Sequence, residues 1–237
     1  MTDSEFCIKF AESDLPHRAL LFYCLKSGSA EIIFCGEDGM LLFDQNGGHY
    51  LLTAKSRKTA EKLIDKVPQG NSIVAHEDFY DDLLHCRNPI RKTRCNAAAY
   101  LKKEPPEAPD ADIRQLTADD LPLIVEHYHL FTDAGYFAER LSGGFMYGIY
   151  INGEPTGFIG RHDSGEMGML EIFEPYRKQG LGYKLEKFII RKVLSEGNLP
   201  IGEVVVGNTA SFALQRKVGM SVDIEQTVTW WNYDRIC

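Results

Sequence analysis

Apolar and polar positions alternate along this chain in two registers, and the register changes mark its predicted elements. From Asp14, a candidate helix cap, Leu20, Leu21, Cys24 and Leu25 recur at helical spacing until Gly28. Glu31 to Cys35, Met40 to Phe43 and Tyr50 to Thr53 then read as short strands, the last two joined by a turn at DQNGG. Ser56 caps a helix whose stripe is Ala60, Leu63, Ile64 and Val67, followed by a strand at Ser72 to Ala75 and a helix at Glu77 to Cys86. The basic run Arg87 to Arg94 reads as a solvated connecting face. Three prolines in KKEPPEAPDAD, with almost no large apolar residue, place a linker at 105–110 between an α/β unit over 1–104 and a second unit over 111–237.

The second unit opens with a strand at Ile113 to Leu116, a capping box at Thr117 and Asp120, and a helix carrying Leu121, Ile124, Val125 and Tyr128. Phe145 to Ile151 and Gly157 to Gly160 are predicted strands around an Asn152-Gly153 hairpin turn. Met167, Met169, Leu170, Ile172 and Phe173 form a run apolar enough for a strand buried on both faces, which Pro175 ends. A helix is predicted from about Gly180, with Leu185, Phe188, Ile189 and Val193 on one side. Gly202 to Val206, Ala210 to Lys217 and Thr227 to Trp231 complete the chain as strand, helix and strand. That succession predicts a mixed sheet flanked by helices.

Composition changes the picture in three ways. A chain of 237 residues with 44% hydrophobic residues buries one large core or two small ones. Six scattered cysteines without a CxxC pair favour reduced thiols over disulfides or a zinc site, and no metal is expected. A formal charge of −8 argues against a nucleic-acid partner. The beginning lacks a basic segment leading into an apolar run, and no stretch of eighteen apolar residues occurs, so neither export nor a membrane partner is expected and the predicted location is cytoplasmic.

Within this acidic chain, Tyr176 to Lys192 holds six basic residues and one acidic residue. Two glycines, Gly180 and Gly182, stand where the helix starts, and first-turn amides have no acceptor inside a helix. The combination suits a phosphate-bearing ligand. Leu185 stands where a dinucleotide fingerprint needs a third small residue, and no Gly-Lys-Ser/Thr follows, so neither common nucleotide loop is present.

RKQGLG after an apolar strand resembles the acyl-CoA-binding motif of the Gcn5-related N-acetyltransferase superfamily. The block Asn208 to Met220, with Ser211, Leu214 and Gly219 at the expected offsets, resembles the next motif of that superfamily. GEM eleven residues before Arg177, LSEGNLPIGEVVVGN and the terminal TWWNYD are similar to its FR47-like branch, which includes the glycine N-acyltransferases. The resemblance covers about Ala111 to Trp231 and implies a sheet that splays open beside the Glu166 strand. The first unit contains no second RxxGxG string; tandem relatives suggest a degenerate copy of the same fold. Two departures stand out: Pro175 lies two rather than three residues before Arg177, and Gln215 occupies a position where resembling enzymes often have a tyrosine that protonates the departing thiolate.

The resemblance implies acetyl-CoA or another acyl-CoA as co-substrate and a primary amine of a small molecule as acceptor. It assigns the diphosphate to Arg177, Lys178, Gln179, Gly180, Leu181, Gly182 and Tyr183, the pantetheine arm to Leu170, Glu171, Ile172 and Asn208, and a hydrogen bond near the departing thiolate to Gln215. Asn208 equally suits a helix cap, and Tyr183 or Tyr176 are alternative proton donors. An amine arrives protonated, so a base is needed. Glu166 matches the glutamate used as base by the resembling glycine N-acyltransferases; read without the resemblance it is a polar strand-end residue facing water. His162 and Glu171 are the other candidates, and strand alternation turns Glu171 away from the Glu166 face. Competing functions are a non-catalytic acyl-CoA sensor and a protein-lysine or N-terminal acyltransferase.

Overall fold

In the computed structural model, residues 2–130 and 133–233 are described; Asp234 of the TWWNYD block and Cys237 lie outside them. The first half runs α1 (Asp3–Glu12), α2 (Ala19–Ser27), β1 (Ala30–Gly36), β2 (Gly39–Asp44), β3 (His49–Ala54), α3 (Arg57–Ile64), β4 (Ile73–Ala75), α4 (Asp81–His85) and β5 (Arg91–Ala99). The second runs β6 (Asp112–Gln115), α5 (Leu121–His127), α6 (Ala134–Ser142), β7 (Met146–Ile151), β8 (Glu154–Arg161), β9 (Met167–Ile172), α7 (Leu181–Ser195), β10 (Ile201–Val205), α8 (Thr209–Val218), β11 (Ser221–Val222) and β12 (Val228–Asn232). Leaving β6 and the two-residue β11 aside, the halves share one order: two helices, a three-stranded meander, helix, strand, helix, strand. The first half therefore has the element order expected of a degenerate copy.

The halves are stitched together by their last strands. One sheet has the order β1-β2-β3-β4-β12-β5-β10, with β11 also on β5; the other is β6-β7-β8-β9. β12 pairs antiparallel with β4, Trp230 opposite Val74, and β5 pairs antiparallel with β10, Glu203 opposite Ala97. Each half thus lends its final strand to the other, and the two lent strands pair with each other, Val228 opposite Cys95.

The boundary at 105–110 accordingly does not divide the sheet, and the Arg87–Arg94 run is not a connecting face. Its second half begins β5, whose charged Arg91, Lys92 and Arg94 occupy the outer end. Its buried Cys95, Ala97, Ala98 and Ala99 sit at the middle of the molecule. Small side chains there leave room for helices on both sides of the sheet, which low strand propensity conceals in the sequence.

The Pro-rich segment is held against α7. Lys184 Nζ donates to the Asp110 carbonyl at 2.8 Å, Arg191 to the Pro106 carbonyl at 2.7 Å, and Lys187 pairs with Glu107 at 3.4 Å. Three of the basic residues that the sequence offers to a polyanion are thereby used to dock the linker. The opposite side of α7 buries Leu185, Ile189, Ile190 and Val193, each worth about 1.5–3 kcal/mol. Cys7 and Cys35 are joined as a disulfide between α1 and β1, contrary to the expected reduced thiols. No helix among the described residues is long and apolar enough to cross a membrane.

The expected splay lies between β9 and β10, each the last strand of its sheet. They touch at their starts, where a Cβ on Gly202 would lie 3.4 Å from the Met167 carbonyl oxygen, and form no ladder beyond. The corresponding strands of the first half, β3 and β4, remain paired in parallel from Tyr50–Ile73 to Leu52–Ala75. Only the second half opens.

Candidate active site

A cleft of about 1030 Å³ follows the splay, running from the Lys178–Tyr183 turn to residues 47–49 of the first half. At its outer end the chain leaves β9 through a short 3-10 turn, Glu174–Tyr176, and enters α7 by way of two left-handed residues, Lys178 (φ 63°) and Gly180 (φ 80°). Open space surrounds the position where a Cβ on Gly180 would project, so glycine leaves the backbone approachable. The amides at the start of α7 lack intrahelical acceptors and carry the positive end of its dipole.

The side chains of the turn divide its work. Arg177 Nε donates to the Ile172 carbonyl and its NH2 to Glu171 Oε1, both at 2.9 Å, while Gln179 Nε2 donates to the Pro175 carbonyl at 3.2 Å. Arg177, Gln179 and Glu171 thus brace the turn. Neither Glu171 nor Gln179 lines the cleft. Among the described residues Lys178 has no side-chain partner, which leaves it as the turn's available cation; Lys217, stacked 4.9 Å from the Tyr183 ring, is a second cation on the cleft wall.

Along the floor, Met169 adopts φ 52°, a conformation rare for a residue without a special turn, and the β8–β9 register slips between Phe158 and Gly160. A Cβ on Gly182 would lie 3.5 Å from Leu214, 3.7 Å from Ile172 and 3.8 Å from Leu170, so these three residues set the width of an apolar slot. Its far wall carries Gln215, 6% exposed, whose Nε2 donates to Glu186 Oε1 at 2.7 Å. Burial pushes the Glu186 carboxyl up to about 7, partly offset by that hydrogen bond. Asn208 lines the cleft and accepts from the Ser211 amide at 3.0 Å, capping α8.

The inner end is acidic. Glu166 is 5% exposed rather than facing water, and its Oε2 has no partner. Burial, followed by the nearby charge of Glu203, raises its pKa well above the ordinary range. Glu203 lies on β10, with its Oε2 accepting from the Trp230 indole and the Cys95 thiol also bonded to its carboxyl. Burial lifts this carboxyl to about 7, against the pull of the Trp230 donor. His162 also reaches the cleft, but Tyr136 OH meets its Nδ1 at 2.9 Å, and a Cβ on Gly168 would lie 2.8 Å from its Nε2. Burial depresses His162 to about 4, which makes its neutral ring a poor base at neutral pH.

The first half supplies the back wall. The Tyr23 ring of α2 packs directly on Gly165, where any side chain would collide with it, and Gly47 of the β2–β3 turn packs in the same way on Ser164. His49, Asn71, Ser72, Arg91, Thr93 and Cys95 continue the lining. Sequence reading missed Glu203, Glu186, Trp230 and Lys217. A single Glu within the apolar strand GEVVV was the one available signal for Glu203.

Residues 142–231 match the family described as FR47-like protein. No curated protein sequence matches the chain significantly. Among solved structures, a Drosophila protein is similar over 100% of this chain and 98% of its own, at 14% identity and a TM-score of 0.69. A GCN5-related N-acetyltransferase-like protein from Streptococcus suis is similar over 98% and 100% respectively, at 15% identity and a TM-score of 0.57. For a GCN5-related N-acetyltransferase from Kribbella flavida the values are 96% and 95%, 14% and 0.52. At such identities the likeness is one of fold, and it embraces both halves.

Proposed function

We propose that this protein, a member of the Gcn5-related N-acetyltransferase superfamily with an FR47-like segment at 142–231, transfers an acyl group, acetyl in the first instance, from an acyl-CoA to a primary amine of a small molecule. The observation carrying this reading is the continuity of one cleft from an anion-binding turn to buried carboxyls. The amides of Gly180, Leu181, Gly182 and Tyr183, with Lys178, suit a diphosphate. Beyond them the facing edges of β9 and β10 have no ladder partners, so their peptide groups need acceptors and donors that an amide-bearing pantetheine arm offers. The Leu170–Ile172–Leu214 slot suits its apolar portions, and the Ile172 amide is a candidate donor to the thioester oxygen.

Transfer then needs a neutral amine at the acidic end, with Glu166 as its proton acceptor. A thiol of pKa about 8.5 departs with modest help, so Gln215 at the tyrosine position does not prevent reaction. The enclosure of the inner end by residues 47–49 and 71–72 favours a small acceptor over a polypeptide. A test is thermal unfolding with acetyl-CoA, longer acyl-CoAs and ATP, followed by CoA-release assays over a panel of amines. Ligand at a hundred times its Kd adds about 2.7 kcal/mol of stability. A rise in Tm for acyl-CoAs but not ATP, with amine-dependent CoA release, supports the reading. A rise without release from any amine favours the non-catalytic sensor, and no rise removes the turn as a CoA site.

A further inference from the structure

We propose that Glu203 is a second catalytic carboxyl, set beside Glu166 across the mouth of the splay so that the two together take the proton of the incoming ammonium. This inference rests on the N-acyltransferase reading. Its geometry is fixed by the one place where β9 and β10 meet: Gly202, immediately before Glu203, abuts Met167, immediately after Glu166. Both carboxyls line the same cleft; Glu166 keeps Oε2 without a protein partner, while Glu203 has only the Trp230 indole and the Cys95 thiol beside it. Buried acceptors left unpaired cost free energy, and a ligand donor relieves that cost. A primary ammonium, with three donors and a positive charge, is the complementary group.

The surroundings favour a cation at this point. Facing the pair are Asp163 after β8, Asp44 on β2, His49 on β3, Tyr23 and Cys24 on α2, Cys95 and Arg91 on β5, and Arg161 on β8. Arg161 is neutralised by Glu196 at 2.6 Å, and burial keeps the Cys24 and Cys95 thiols and the Tyr23 phenol protonated, while it keeps His49 neutral. Two like carboxyls in one dry site share protons, ionising in separate steps. With the first step near neutrality, the pair holds one proton and one negative charge as the ammonium arrives. An N–H bond of the ammonium breaks, an O–H bond forms on the pair, and the site then contains a neutral amine and two neutral carboxylic acids. When that amine has displaced the thiolate, its second proton passes to sulfur, and the pair returns its own to solvent.

The test is the pH dependence of kcat/KM for the full-length protein, using acetyl-CoA and the best amine from the panel. Absence of transfer by the wild-type protein with every amine refutes the N-acyltransferase reading itself. With transfer established, Glu203→Gln should lower kcat/KM at least tenfold and displace the acidic limb to higher pH, because the carboxyl that ionises near neutrality is gone and the more deeply buried Glu166 must supply the charge alone. Glu203→Asp should recover part of the rate. The Tm rise with acetyl-CoA should match wild type. Trp230→Phe removes only the indole donor that steadies ionised Glu203, so it should move the same limb to higher pH, and it serves if Glu203→Gln fails to fold. An acidic limb unmoved in the variants, whatever the loss of rate, assigns Glu203 a structural role and overturns the proposal.

Discussion

Glu186 provides the sharpest test of the electrostatics of the slot. Its carboxyl is held between α7 and α8 with one oxygen accepting from Gln215 and the other, Oε2, unpaired. Burial raises its folded pKa to about 7, whereas in the unfolded chain it has the ordinary value of about 4.5. The folded state therefore holds a proton that the unfolded state releases. Stability from this group is complete below the unfolded pKa and is lost as pH rises toward the folded one, beyond which the penalty is constant. A displacement of about 2.5 pKa units corresponds to roughly 3 kcal/mol above pH ~8, and to under about 1 kcal/mol near pH 5.

Glu186→Gln keeps the shape, removes the titration and gives Gln215 Oε1, also unpaired, an amide donor. Near pH 9 the variant should melt roughly 6–12 °C above wild type, at about 2–4 °C per kcal/mol for a chain of this size. Near pH 5 the difference should shrink to about 2–3 °C. Glu166 and Glu203 titrate in both proteins, so the pH dependence of the difference isolates Glu186. Paired thermal scans across this range are decisive. An increment independent of pH would mean that Glu186 is not a proton-linked buried acid, and a lower Tm at high pH would mean that its ionised form is stabilised by something other than Gln215.

Further outcomes follow from the geometry. Glu166→Gln should reduce kcat at least a hundredfold, within the usual range for losing a general base, while the Tm rise with acetyl-CoA is retained; undiminished turnover removes Glu166 from the chemistry. Lys178→Ala should weaken acetyl-CoA about tenfold by isothermal titration, the worth of one charge-assisted hydrogen bond, with a smaller effect at high salt; an unchanged Kd at low salt would place the anion elsewhere. Gly165→Ala combines φ 96° with a collision against Tyr23, at a cost of about 2–5 kcal/mol; a Tm within a degree of wild type would mean that α2 does not pack behind Glu166.

What could be read from the sequence was local. The Gly180 turn, the Asn152-Gly153 hairpin and the Thr117–Asp120 box depend on neighbouring residues, and each forms where expected. So does the start of α7, whereas the splay of the mixed sheet came from the family resemblance and not from the residues themselves. The helices α1 and α6 were passed over, although Thr2 and Asp133 cap them with bonds to the amides of Glu5 and Tyr136. Long-range partnerships were hidden more thoroughly. β5 reads as a charged connection because its ladder partners lie more than a hundred residues away, at 201–205 and 228–232. The basic face of α7 looks like a ligand surface until the linker carbonyls are seen to occupy it. Glu203 acquires meaning only when Trp230 and Met167 are brought beside it.

The same exchange of strands explains how a chain with two copies of one element order has a single open splay. In the first half β4 stays on β3, closing the gap where a ligand arm would enter, with the Tyr50 amide bonded to the Ser72 carbonyl and the His76 amide to that of Leu52. In the second half β10 instead pairs along its whole length with β5, lent by the first, and this pairing holds it away from β9. The fold therefore requires the first half twice over: β5 keeps the splay open, and Tyr23 and Gly47 close the back of the carboxyl end. A second half expressed alone would lose β10's partner and expose Glu166 to water. Exposure removes the burial that raises its pKa, so the base would weaken even where the turn survived.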